Sequence, residues 1–149
     1  MHSNHVATLA TTAVLFLGGQ APAHAVQIVA RDFVIEAPDT VDAGLTEFVL
    51  QNQGVLVHEL VIGLLRPGAG TAEIVDAANH NARLKDLGDR YLDGHPFGAL
   101  LAWPAQTSSA HLLVDLQPGR DYALLCQLRE TPEAPQHASL GMVRVLHVR

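Results

Sequence analysis

The sequence predicts an all-β sandwich of about seven or eight strands that carries one helical insertion. Three observations predict it. Short runs rich in β-branched and large apolar residues recur along the chain, and clusters of Gly, Pro, Asn and Asp divide them at the spacing of sandwich turns. One stretch alone, 71–87, changes character, with more Ala, Glu and Lys and with Ile74, Val75, Ala78, Ala82 and Leu84 falling loosely on one helical face.

Taken in order, the chain begins with "VATLATTAVLFLGG", an apolar run too short to span a bilayer comfortably, followed by "APAHA". Ala23 and Ala25 in that segment fit a small-x-small cleavage site, so 1–25 reads as a signal peptide with the mature chain starting at Val26, or after Ala23 if the earlier pair is cut. The leading "MHSNH" has no Lys or Arg, which leaves an uncleaved anchor as the competing reading. Residues 26–149 suffice for one domain with a real core and are too few for two ordinary ones. "VQIVARDFVI" reads as the first strand and "EAPDTVDAG" as a turn. "LTEFVLQN" alternates as a second strand, and "VLVHELVIGLL" is a third, closed by "RPGAG". The helical segment, for which Thr71 is a candidate cap, precedes the loop "GDRYLDGHPFG". "ALLAWPA", "SSAHLLVDL", "YALLCQL" and "MVRVLHV" complete the strands.

The formal net charge of -6 lies wholly in 26–149, and a mildly acidic surface argues against a nucleic-acid partner. No second apolar run is long enough for a membrane span after signal removal. A single cysteine permits no internal disulfide, so stability comes from the core or from a metal. A lone thiol in an oxidising periplasmic or secreted setting is a hazard unless something occupies it.

Cys126 ends a predicted strand, His137 follows after ten residues and Met142 after four more, so the three can converge where one strand ends and the next begins. Thiolate, imidazole and thioether form a soft donor set that prefers copper, and a trigonal His₂Cys site with a weak axial Met is the blue-copper arrangement. His58, set in an apolar strand, can supply the second imidazole. "NQGVLVHE", "YALLCQL" and "HASLGM" resemble the ligand segments of cupredoxins, the blue-copper Greek-key sandwiches, and the resemblance covers nearly all of 26–149. "HELVIGLL", "LQPGRDYALLC" and "PQHASLGMVRVLHV" are similar more closely to exported bacterial plastocyanin- and azurin-like proteins of unsettled role.

The resemblance implies one mononuclear type 1 copper held by His58, Cys126 and His137 with Met142 axial, and a one-electron carrier rather than an enzyme. Its partner would be a redox protein such as a cytochrome or an oxidase. Two departures from the familiar carriers stand out. "QLRETPEAPQ" makes the Cys126 to His137 loop longer, nearer in style to copper nitrite reductases, and Glu59 follows His58 where carriers often have a bracing Asn. In that loop Glu130 and Glu133 are expected to form an acidic docking rim for a basic partner.

Other readings stay open. Singly, a buried Cys is a small hydrophobe and a strand His a hydrogen-bonded core residue, so a cupredoxin-fold interaction module without metal is one alternative. Copper delivery or buffering is another, although Met142 is the only methionine after the signal. A hydrolase with Cys126 as nucleophile and His137 as base needs only spatial proximity. His80, His95, His111 and His147 read as bystanders.

Overall fold

The computed structural model describes residues 23–80 and 82–149, so the predicted signal peptide lies outside the described residues except for its last three positions. β1 (His24–Arg31) turns Val26, Ile28 and Ala30 inward. At Asp32 the chain reverses, with Phe33 at φ 65°, and β2 (Val34–Glu36) runs back antiparallel so that Arg31 faces Val34. The segment 26–35, which reads as one strand, is therefore a hairpin. β-branched residues continue on both sides of the turn, so composition does not mark it. His24 and Ala25 already pair with Thr46 and Glu47, and a cut after Ala23 would leave β1 whole where a cut after Ala25 would shorten it.

β3 (Thr40–Val41) is a short edge, and β4 (Gly44–Asn52) alternates as the sequence predicts, with Thr46, Phe48, Leu50 and Asn52 buried. β5 (His58–Leu64), β6 (Gly98–Ala102), β7 (Leu112–Leu116), β8 (Asp121–Leu125) and β9 (Val143–Val148) complete two sheets. One has the order β2-β1-β4-β7 and the other β3-β9-β8-β5-β6. β1 with β4 and β3 with β9 are parallel, and the remaining pairs are antiparallel. Among the described residues there are nine strands rather than seven or eight, because the first predicted strand splits and the turn cluster at 36–44 holds the two-residue β3.

β5 explains how the apolar run "HELVIGLL" is accommodated. Leu60, Ile62 and Leu64 join the core between the sheets, while Val61 and Leu65 face a second cluster under the helical insertion. A strand covered on both faces needs apolar residues at consecutive positions. The insertion consists of two helices, α1 (Thr71–Asn79) and α2 (Leu84–Tyr91), where the sequence predicts one. Asn79 and His80 are weak helix formers and the chain is extended again at Arg83, so the helix stops and restarts. α2 then takes in residues as far as Tyr91 that read as loop. Thr71 is the first helical residue; the cap position belongs to Gly70, whose N–H donates to the Glu73 carboxylate at 3.0 Å. Among the described residues no helix is long and apolar enough to cross a membrane.

Candidate metal centre

The antiparallel register of β5 and β8, with Val61 opposite Leu125, brings the start of one strand beside the end of the other. His58 is the first residue of β5 and Cys126 follows the last residue of β8. The long loop returns to place His137 at the head of a short 3-10 turn, His137–Leu140. The donor atoms of His58, Cys126 and His137 all lie within 4.8 Å of one another, and all three residues are buried. Among the described residues no other group of three or more His, Cys, Asp or Glu donors comes together.

Backbone hydrogen bonds tie Cys126 and His137 to each other through Met142. The Cys126 N–H donates to the Met142 carbonyl at 3.1 Å, the Met142 N–H to the His137 carbonyl at 3.0 Å, and the His137 N–H to the Leu128 carbonyl at 2.8 Å. Met142 is fully buried in the same apolar cluster as Cys126. Gly141 between them has φ 123°, and a Cβ there would lie 2.7 Å from the Phe33 carbonyl oxygen. Only glycine meets both conditions without strain. Phe33 in turn packs edge-on against His137, with ring centroids 5.5 Å apart.

The two imidazoles are oriented alike. His58 Nε2 is 3.1 Å from Asp32 Oδ1, and His137 Nε2 is 3.0 Å from Glu130 Oε1. This leaves both Nδ1 atoms for the interior. His137 Nδ1 is 3.5 Å from Cys126 Sγ, and His58 Nδ1 is buried with no hydrogen-bond partner. An orphaned buried polar atom of this kind ordinarily costs about 1–3 kcal/mol. Its position beside a thiol and a second inward imidazole nitrogen matches what a soft metal requires, so the residues present fit a copper ion.

Glu59, the second departure noted from the sequence, faces the site from both its backbone and its side chain. Its N–H donates to Cys126 Sγ at 3.4 Å, and its carboxylate accepts the Gln127 N–H at 2.8 Å. It therefore braces the end of β8 from either side of the cysteine. Burial raises the Glu59 carboxyl above its usual range, against the opposing pull of the Gln127 amide. Burial also pushes the Cys126 thiol up to about 11, and it depresses His137. Without metal, at neutral pH, the thiol is protonated and His137 is neutral. Asp32 is pulled the other way: burial favours its neutral form, but hydrogen bonds from the Val55 and Leu56 amides and from His58 outweigh this and lower its pKa.

Of the sequence-predicted site residues, the structure gathers His58, Cys126 and His137 into one cluster and buries Met142 in the adjoining core. The bystander histidines stay away from it: His111 bonds Glu47, His147 bonds Asp121 and His80 bonds the Asp76 carbonyl. His95 lines a separate cleft with Lys85 and Asp89. Glu130 is not simply part of an acidic rim, since its carboxylate is bonded to His137. Asp32 was missed by sequence reasoning, and its only signal was a charged pair, Arg31 and Asp32, interrupting the run "IVARDFVI".

No family model matches the chain, and no curated protein does. Solved structures match it over most of its length. Reduced auracyanin from Roseiflexus castenholzii is 19% identical, with 85% of this chain and 98% of that one covered at a TM-score of 0.53. Auracyanin A from Chloroflexus aurantiacus, described as a "blue" copper protein, is 17% identical over 86% of this chain and 100% of its own, at 0.52. An azurin from Methylomonas sp. strain J is 11% identical over 86% and 99%, at 0.51. The chain has the cupredoxin fold that these proteins share.

Proposed function

We propose that the chain is an exported one-electron carrier built around a single mononuclear type 1 copper, with His58, Cys126 and His137 as equatorial ligands and Met142 as the axial one. The observation that carries this reading is the bare, buried Nδ1 of His58 facing a thiol and a second inward imidazole. When bound, copper supplies one-electron redox chemistry. The protein's part is to hold three donors from three segments in a buried, backbone-braced arrangement that excludes water and resists change of geometry. A site that moves little between oxidation states keeps electron exchange fast. The fold shared with auracyanin and azurin supports the same reading, as does the predicted signal peptide, which would send the protein to the periplasm or outside the cell. A cytochrome or an oxidase of that compartment is the expected partner.

Copper delivery is less well supported, because transfer of the ion favours exposed donors and these three are buried. A metal-free interaction module leaves the orphaned His58 nitrogen without purpose. The deciding experiment reduces and reoxidises the copper-loaded protein repeatedly with outer-sphere reagents in the presence of a copper(I) chelator. A carrier keeps its copper through many cycles. Loss of copper to the chelator within the first cycles would favour delivery and overturn the carrier role.

A further inference from the structure

One hairpin turn from the four-stranded sheet reaches both histidines of the site. Asp32 accepts from His58 Nε2, and Phe33 packs on the His137 ring. Asp32 is itself fixed: its carboxylate also accepts the Val55 N–H at 3.1 Å and the Leu56 N–H at 3.2 Å. The loop that supplies those amides is built for it, since a Cβ on Gly54 would sit 2.3 Å from Asp32 Oδ1. On the opposite side Glu130 accepts from His137 Nε2 at 3.0 Å, and its side chain is half exposed. Each imidazole thus has a carboxylate on its outer nitrogen and turns its other nitrogen inward, that of His58 unpartnered and that of His137 toward Cys126 Sγ.

We propose that Asp32 and Glu130 are paired positioning carboxylates, one for each histidine, which hold both rings with the proton on Nε2 and bias the site toward divalent over monovalent copper. This rests on the copper reading above. A carboxylate behind a ligating imidazole fixes its tautomer and raises its basicity, and loss of such a partner typically weakens metal binding by about 10–100-fold. Negative charge behind both rings stabilises the ion of higher charge more, so the effect falls chiefly on Cu(II). Asp32, held by two amides and a loop shaped around it, exerts the larger influence. Glu130 is tied to the site by one bond and is more open to solvent, which weakens its field.

The test has one arm without metal. Long-range ¹⁵N–¹H spectra of the metal-free protein report the tautomer of each imidazole, and wild type is expected to show Nε2–H for both His58 and His137. Glu130→Ala should leave the protein folded and turn His137 into a tautomer mixture. In the second arm Cu(II) and Cu(I) affinities are measured separately by competition with chelators of known affinity. Asp32→Asn and Glu130→Ala should each lower Cu(II) affinity by about 10–100-fold and Cu(I) affinity by less, raising the reduction potential. Unchanged tautomers in Glu130→Ala together with an unchanged Cu(II)/Cu(I) ratio in both variants would overturn the proposal. If wild type bound no copper, the copper reading would fall, and the tautomer arm would still decide whether the carboxylates position the rings.

Discussion

The buried thiol gives the metal-free protein a pH dependence whose sign and size follow from its position. In an unfolded chain Cys126 loses its proton near the ordinary value of 9.0, whereas burial in the fold holds it until about 11. Above pH 9 the unfolded chain therefore binds fewer protons than the native one, and stability falls as pH rises. The contribution is fully present below pH 9 and is lost as pH climbs through 11. Two pH units correspond to about 3 kcal/mol, a large part of a small domain's total. Urea unfolding of the metal-free protein from pH 7.5 to 10.5, compared with Cys126→Ala, isolates the thiol from every other group, since the variant differs from wild type only there. Wild type should lose about 2 kcal/mol more than the variant across that span. The cavity left by the missing sulfur offsets the two curves by a constant amount and does not affect the comparison. Parallel curves would show that the thiol titrates alike in both states, and the reasoning from burial would fail.

Other consequences are as direct. Glu59→Ala strands the Gln127 N–H and should cost about 1–3 kcal/mol in the metal-free protein, while Glu59→Gln keeps an acceptor and should stay within about 1 kcal/mol of wild type in denaturant melts. Gly141→Ala forces a left-handed backbone on a residue whose Cβ meets the Phe33 carbonyl, so about 1–3 kcal/mol of strain plus displacement of Met142 is expected, read by melting and by altered copper spectra. On the proposed ligand set, Met142→Leu should keep the copper–thiolate colour and raise the potential in voltammetry, because only a weak axial donor would be removed. His80→Ala and His95→Ala should leave both colour and potential unchanged.

What the sequence discloses here depends on how each residue type earns its place. Cys126, His137 and Met142 are legible because soft donors are rare and their order across a strand end is uncommon. His58 is legible because a histidine in an apolar run has to face protein. The sandwich itself follows from alternation in β4 and from regular turn clusters. The hairpin at Asp32 and Phe33 was hidden, since reversing a strand changes backbone angles and not the β-branched composition on either side. The break between α1 and α2 is marked only by Asn79 and His80, too weak a signal against the apolar face spanning both. Glu130 shows the deeper limit. An acidic residue in a Pro-rich loop looks like a solvated charge, and only the folded loop shows its carboxylate on the buried imidazole of His137. Glu59 is similar: its position after His58 is readable, but its bond to the Gln127 amide depends on the register of β5 against β8.

The central claim is that His58, Cys126 and His137 form one copper site. It is tested most directly by adding one equivalent of Cu(II) to the metal-free protein under anaerobic conditions and recording visible and electron paramagnetic resonance spectra for wild type and Cys126→Ser. The account predicts an intense copper–thiolate absorption with narrow parallel hyperfine splitting in wild type and its absence in Cys126→Ser. Wild type that showed only the weak absorption and wide splitting of ordinary cupric sites, or a variant that kept the wild-type spectrum, would contradict it.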